Sequence, residues 1–183
     1  MATPLLSDPK APRQRLHQRH ITLEGFKRED GLWDIEGHLL DQKDYDFGHV
    51  TRVHPAGLPV HDMWMRITID ASLTIVDAEA NMAARPYAGQ CEQITPEYKN
   101  LIGLRIAPGF TNAVRKVLGG TRGCAHLTEM VSALATTAFQ TLAGEINDQA
   151  ETRQPAHLDR CHALRVEGPV VQQYYPRWHK KPL

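Results

Sequence analysis

The chain is short of most features that would announce a function. Its 183 residues hold three cysteines, Cys91, Cys124 and Cys161, and no C-x-x-C pair. So few, and an odd number, exclude a disulfide framework and leave buried thiols, reactive thiols or metal ligands. Charge of either sign is not in excess: 21 Lys and Arg balance 21 Asp and Glu. That removes the electrostatic case for nucleic acid or an anionic membrane as a partner. Aromatic residues make up only 7% and are not interleaved with a basic stripe, so no RNA-binding platform is visible. No apolar run approaches the roughly 18 residues that a membrane span needs. With no hydrophobic signal core near Met1, the expected location is the cytoplasm. The phosphate loop, the G-x-G-x-x-G fingerprint, H-E-x-x-H and the G-x-S-x-G elbow are all missing, so no nucleotide or flavin cofactor is expected.

What is there describes an ordinary globular chain, 42% hydrophobic and 23% charged, with ten histidines. Residues 1–14, with three prolines and no periodic pattern, read as a disordered arm. Residues 15–178 read as one domain, and 179–183 as a mobile tail.

Alternation marks the strands. His17 to Phe26 reads as the first. In Gly31–Asp41 (GLWDIEGHLLD), Trp33, Ile35, Gly37 and Leu39 alternate with Asp34, Glu36 and His38, the period of a half-buried strand. Asp34, Glu36 and His38 would project together, either for acid–base work or as a solvent-facing polar face. The usual habit of antiparallel sheets favours the latter. Gln42 to Pro59 reads as a long surface connection. Val60–Asp70 (VHDMWMRITID) is the clearest strand, with Met63, Met65, Ile67 and Ile69 on one face and Trp64, Arg66 and Thr68 on the other. A turn at Asp70-Ala71-Ser72 returns the chain through Leu73 to Ala80.

Helices follow. Thr95-Pro96 starts a short one that ends near Gly103, and Phe110 to Leu118 makes another. The longest pattern runs from Gly119 to Ile146 (GGTRGCAHLTEMVSALATTAFQTLAGEI). Leu127, Met130, Val131, Leu134, Ala138 and Leu142 form one apolar stripe. Thr121 or Gly123 would cap it, with Cys124 at or just before the first turn. Beyond Asn147 a polar loop leads to a short helix or strand at Ala156–Leu164 and a β-prone run in Gly168–Trp178. The fold class is therefore α+β: an antiparallel sheet of about three to five strands, with a helix over about 122–146 on one face.

The chemistry gathers at the start of that helix. His126 and Glu129, three apart, share a face, either as a site or as a plain surface pair. Cys124 would point away from them unless it precedes the regular helix. His61 and Asp62, at the start of the clearest strand, would meet this helix end. His126, Glu129 and His61 are thus candidate catalytic residues, and Asp62, Cys124, Cys161 and His126 candidate ligands for zinc or iron. Cys124 alone, activated by the helix terminus and His126, would serve as a nucleophile. Cys91, Cys124 and Cys161-His162 make a sulfur-rich alternative, against packing thiols as the default.

The motifs GLWDIEGHLLD, VHDMWMRITID, GLRIAPGF (Gly103–Phe110) and GGTRGCAHLTE (Gly119–Glu129) resemble a bacterial family of uncharacterised proteins, a domain of unknown function. That likeness implies no activity. In order of elements the chain also resembles the iron–sulfur scaffold proteins, whose Asp and three cysteines gather at one end of an antiparallel sheet. Asp62, Cys124 and Cys161 match that order. The first scaffold cysteine is absent, and Asn81–Gly120 would be an insertion. The leading expectation is a small-molecule enzyme of lyase or hydrolase type. A metal- or sulfur-handling scaffold and a non-catalytic binding module are the alternatives.

Overall fold

Strict alternation in the two most regular stretches decides how the sheet is built. In the computed structural model, which describes residues 6–49, 52–146, 154–155 and 157–181, the chain divides into two units, Met1–Thr141 and Leu142–Leu183. Residues 1–5 of the expected arm and 182–183 of the expected tail lie outside the described residues, as does most of the polar loop after Asn147.

The first unit is framed by a four-stranded antiparallel sheet. Its strands are β1 (His17–Lys27), β2 (Trp33–Lys43), β5 (Pro59–Ile69) and β6 (Ile75–Ala84), in the order β1-β2-β5-β6. Between β2 and β5 the connection read as a loop carries a two-stranded ribbon, β3 (Phe47–His49) with β4 (Arg52–His54). The register places Ile35 opposite Ile67, Gly37 opposite Met65 and Leu39 opposite Met63. Because side chains alternate across a strand, these residues share one face, and they are buried. Asp34, Glu36 and His38 fall on the other face, opposite Thr68, Arg66 and Trp64. Thr68 donates to Asp34 at 2.6 Å, and Arg66 bonds Glu36 and Glu79. That face is polar, as expected.

A 3-10 stretch over Cys91–Leu101 and helix α1 (Phe110–Leu118) lead to α2 (Ala125–Ile146). The 3-10 stretch begins four residues before the cap expected at Thr95, while α1 has the expected bounds. In α2, Leu127, Met130, Val131, Leu134 and Ala138 are fully buried. The helix lies on the apolar face of the sheet, close to β2 at Gly37. A β-carbon there would sit 2.9 Å from Met130 Sδ and 3.2 Å from Leu134 Cδ2. Gly37, with Gly25 of β1 against Thr141, thus lets the helix lie close to the sheet. Replacing Gly37 with alanine is expected to cost about 1–3 kcal/mol through overpacking, measured by urea denaturation. An unchanged midpoint would mean that the helix can lift away freely.

The second unit contains α3 (Pro169–Tyr174) and a 3-10 turn over Pro176–Trp178. The run expected to be β-prone is therefore helical. Gly168 in extended geometry followed by Pro169 starts a helix, and Val171 is buried with Leu158 and Val166. Of Ala156–Leu164, expected as a helix or strand, His157–Leu164 forms turns and Ala156 lies outside the described residues.

Candidate metal centre

The apolar face of β2 ends in a carboxylate. Continuing the phase Trp33, Ile35, Gly37, Leu39 by two residues brings Asp41 onto the covered face, where it is 2% exposed. A carboxylate there needs partners, and the two neighbouring strands supply them. On β1, Arg19 pairs with Asp41 in register, its Nε donating to Oδ1 at 2.7 Å and its Nη2 to Oδ2 at 2.8 Å. His17 Nε2 lies 3.2 Å from Oδ1. On β5, His61 lies opposite Asp41, with Nδ1 2.9 Å from Oδ2.

The third side of the cluster is the start of α2. Cys124 caps this helix: its carbonyl accepts from Thr128 N–H at 2.8 Å, and α2 begins at the next residue. Buried Tyr98, from the 3-10 stretch, fixes that end. Its hydroxyl accepts from Cys124 N–H and donates to the Cys124 carbonyl, both at 3.0 Å, and stands 2.9 Å from the Thr128 hydroxyl. Held in this way, His126 projects onto the sheet. Its ring centroid is 4.0 Å from that of His61, and its Nε2 is 4.0 Å from Asp41 Oδ2. Cys124 Sγ lies 3.9 Å from His126 Nδ1, so the thiol does face the histidine.

Burial alone would raise the Asp41 carboxyl, but the Arg19 and His61 hydrogen bonds outweigh it and hold it at about 2. Burial pushes both imidazoles down. For His61, Asp41 opposes the shift while Arg19 adds to it. For His126, His61 and Arg19 add to it. The cluster therefore holds one ionised carboxylate and two imidazoles biased toward the neutral form. With Asp41 ionised, the His61 Nδ1–H donates to it and Nε2 keeps its lone pair.

Among the described residues, Asp41, His61 and His126 are the side chains placed to share an ion, each offering one ligand atom within 4.8 Å of the others. Ligands about 2.1 Å from a tetrahedral zinc stand roughly 3.4 Å apart, so closure needs movements of about an ångström. One ionised carboxylate with two neutral imidazoles is a donor set that suits zinc or iron.

His61 and His126, both singled out in the sequence, come together here. The Glu129 charge, with that of Asp41, opposes the lowering of His126. Glu129 is exposed on α2 and accepts from Arg19 Nη1 at 3.2 Å. The expected ligand Asp62 is not brought to this cluster. Adjacent residues of a strand point to opposite faces, so Asp62 leaves the His61 face and joins His38 (2.8 Å) and Trp64 (3.0 Å) on the other. Cys161 belongs to the second unit, where it is exposed, and all three cysteines are free thiols. Sequence reasoning missed Asp41, Arg19 and His17. For Asp41 a signal existed in the alternation of β2.

A profile for a protein of unknown function (DUF2889) matches residues 17–140. The chain belongs to the DUF2889 family. The matched region begins with β1 and ends inside α2, so every side chain of the cluster lies within the DUF2889 region. No curated protein and no solved structure matches the chain. Among the described residues, no helix is long and apolar enough to cross a membrane.

Proposed function

We propose that this DUF2889 protein is a small-molecule enzyme of lyase or hydrolase type that uses a divalent metal, zinc or iron, held by Asp41, His61 and His126. The observation that carries the reading is the convergence of these three side chains from β2, β5 and the start of α2, within 4.8 Å of one another. Three protein ligands are the number typical of catalytic zinc sites, in which a further position stays open for water or substrate. When bound, such a metal polarises a carbonyl or phosphoryl oxygen or lowers the pKa of a bound water. The chain itself supplies the ionised carboxylate, two imidazoles biased toward the neutral form and a mounting through Tyr98. Cys124, 3.9 Å from His126 Nδ1, stands beside the site as a further donor or a reactive thiol.

A second reading follows from the grip of Arg19 on both oxygens of Asp41. In it Asp41 is an orienting group rather than a ligand. It fixes the tautomer of His61, whose Nε2 acts as a general base without metal.

Elemental analysis of untagged protein separates the two. The metal reading expects about one zinc or iron per chain, lost in His126→Ala with the fold retained by circular dichroism. Protein free of metal as purified, and taking up none on dialysis against zinc, would leave the acid–base reading in its place.

A further inference from the structure

Arg19 is the side chain that a bound cation would disturb most. Asp41 receives Arg19 Nε and Nη2 at 2.7 and 2.8 Å, His61 at 2.9 Å and His17 at 3.2 Å. Four donors fill the roughly four lone-pair sites of a carboxylate. A metal coordinated by Asp41 must therefore displace one of them, and the guanidinium is the partner that a cation repels. Arg19 cannot shed its charge, and it need not leave the site. Glu129 already holds its Nη1 at 3.2 Å from the other side.

The displaced guanidinium keeps Glu129 on one edge and presents its Nε–Nη2 edge free. That edge is a planar pair of donors, the geometry that matches a carboxylate or a phosphate. The vacated fork calls for an anion.

Resting on the metal reading above, we infer that the substrate carries an anionic group, a carboxylate or a phosphate, and that Arg19 anchors it once the metal has taken Asp41. Arg19 then has two opposed effects. In the empty site it competes with the metal for Asp41, and in the loaded site it recruits the anion.

The test uses the full chain and Arg19→Met, which keeps the length of the side chain without its charge. Zinc is titrated first. Inorganic phosphate and succinate are then titrated separately into the zinc-loaded proteins at fixed ionic strength. The variant is expected to bind zinc roughly tenfold more tightly and the anion roughly 10- to 100-fold more weakly, the scale of a charge-assisted bidentate contact. Arg19→Lys, which keeps the charge without the fork, should fall between them and guards against a folding defect in the first variant. Preference for phosphate or for succinate tells which anionic group fits. If zinc binds to both proteins and anion affinity is unchanged by Arg19→Met, the anchor is overturned while the metal site stands. The same holds if neither anion binds to the zinc-loaded wild type. If zinc binds to neither protein, the metal reading and the anchor fall together.

Discussion

Replacing Asp41 with alanine is expected to destabilise the protein by about 3–5 kcal/mol, the usual cost of removing one partner from a buried ionic group. The carboxylate is 2% exposed, and its loss takes the partner from the Arg19 guanidinium and deprives His61 of its acceptor. Urea denaturation at neutral pH measures the loss. The pH dependence carries a second signature. The Asp41 carboxyl lies at about 2 in the folded protein and near 3.8 when unperturbed. A depressed value contributes stability above the unfolded pKa, and that contribution disappears as pH falls through the folded one. The contribution is about 2 kcal/mol, lost progressively between roughly pH 5 and pH 2, and absent from Asp41→Ala. His61 and His126 act in the same direction at higher pH. Their lowered values make the unfolded chain take up protons first, so stability begins to fall below the ordinary imidazole pKa of 6.5. A wild-type stability that is flat from pH 7 to pH 3 would contradict both assignments.

Tyr98→Ala is expected to have an effect of the same size. Tyr98 is fully buried and is among the largest such side chains in the core. Its removal leaves a cavity and unpairs the start of α2, at about 3–5 kcal/mol. Tyr98→Phe isolates the hydroxyl. It keeps the ring but leaves the Cys124 N–H without its partner, which is expected to cost about 1–3 kcal/mol. Because Cys124 and Thr128 frame His126, the phenylalanine variant should also loosen the imidazole and weaken zinc binding. Chemical denaturation and a zinc titration on the same preparation check both effects. If Tyr98→Phe matched wild type in stability and in zinc affinity, the hydroxyl would have no part in mounting His126.

The two elements most readable in the sequence are those with the cleanest periods. The alternation of β2 and β5 specifies which face is covered, and the stripe from Leu127 to Ala138 specifies the buried side of α2. The glycines place Cys124 at or just before the first turn of α2, but the cap is Cys124 itself and not the expected Thr121 or Gly123. Elsewhere local preference lost to context. The valines of Val170-Val171 favour a strand, yet Pro169 after Gly168 opens a helix whose Val171 fills the small core of the second unit.

The candidate site was readable by half. His126 and His61 stand out by chemical type, and their helix and strand were correctly expected to meet. Asp41 was implicit in the phase of β2, but a carboxylate at the end of a strand resembles the first residue of a turn. Asp62 drew attention instead, although the same alternation that places His61 inward turns Asp62 outward. Arg19 and His17 depend on the pairing of β1 with β2, which places Arg19 opposite Asp41. Nothing local to His17–Lys27 encodes that register.

Asp41, His61 and His126 are proposed to share one ion. Titration with cobalt(II), a spectroscopic stand-in for zinc, tests that proposal most directly when followed by visible absorption. Saturation at about one equivalent is expected, with bands typical of low coordination number. The bands should vanish in His61→Ala and in His126→Ala and persist in His38→Ala, whose imidazole lies on the opposite face of the sheet. Absence of a saturable signal, or a signal equally strong in His61→Ala and His126→Ala, would contradict it.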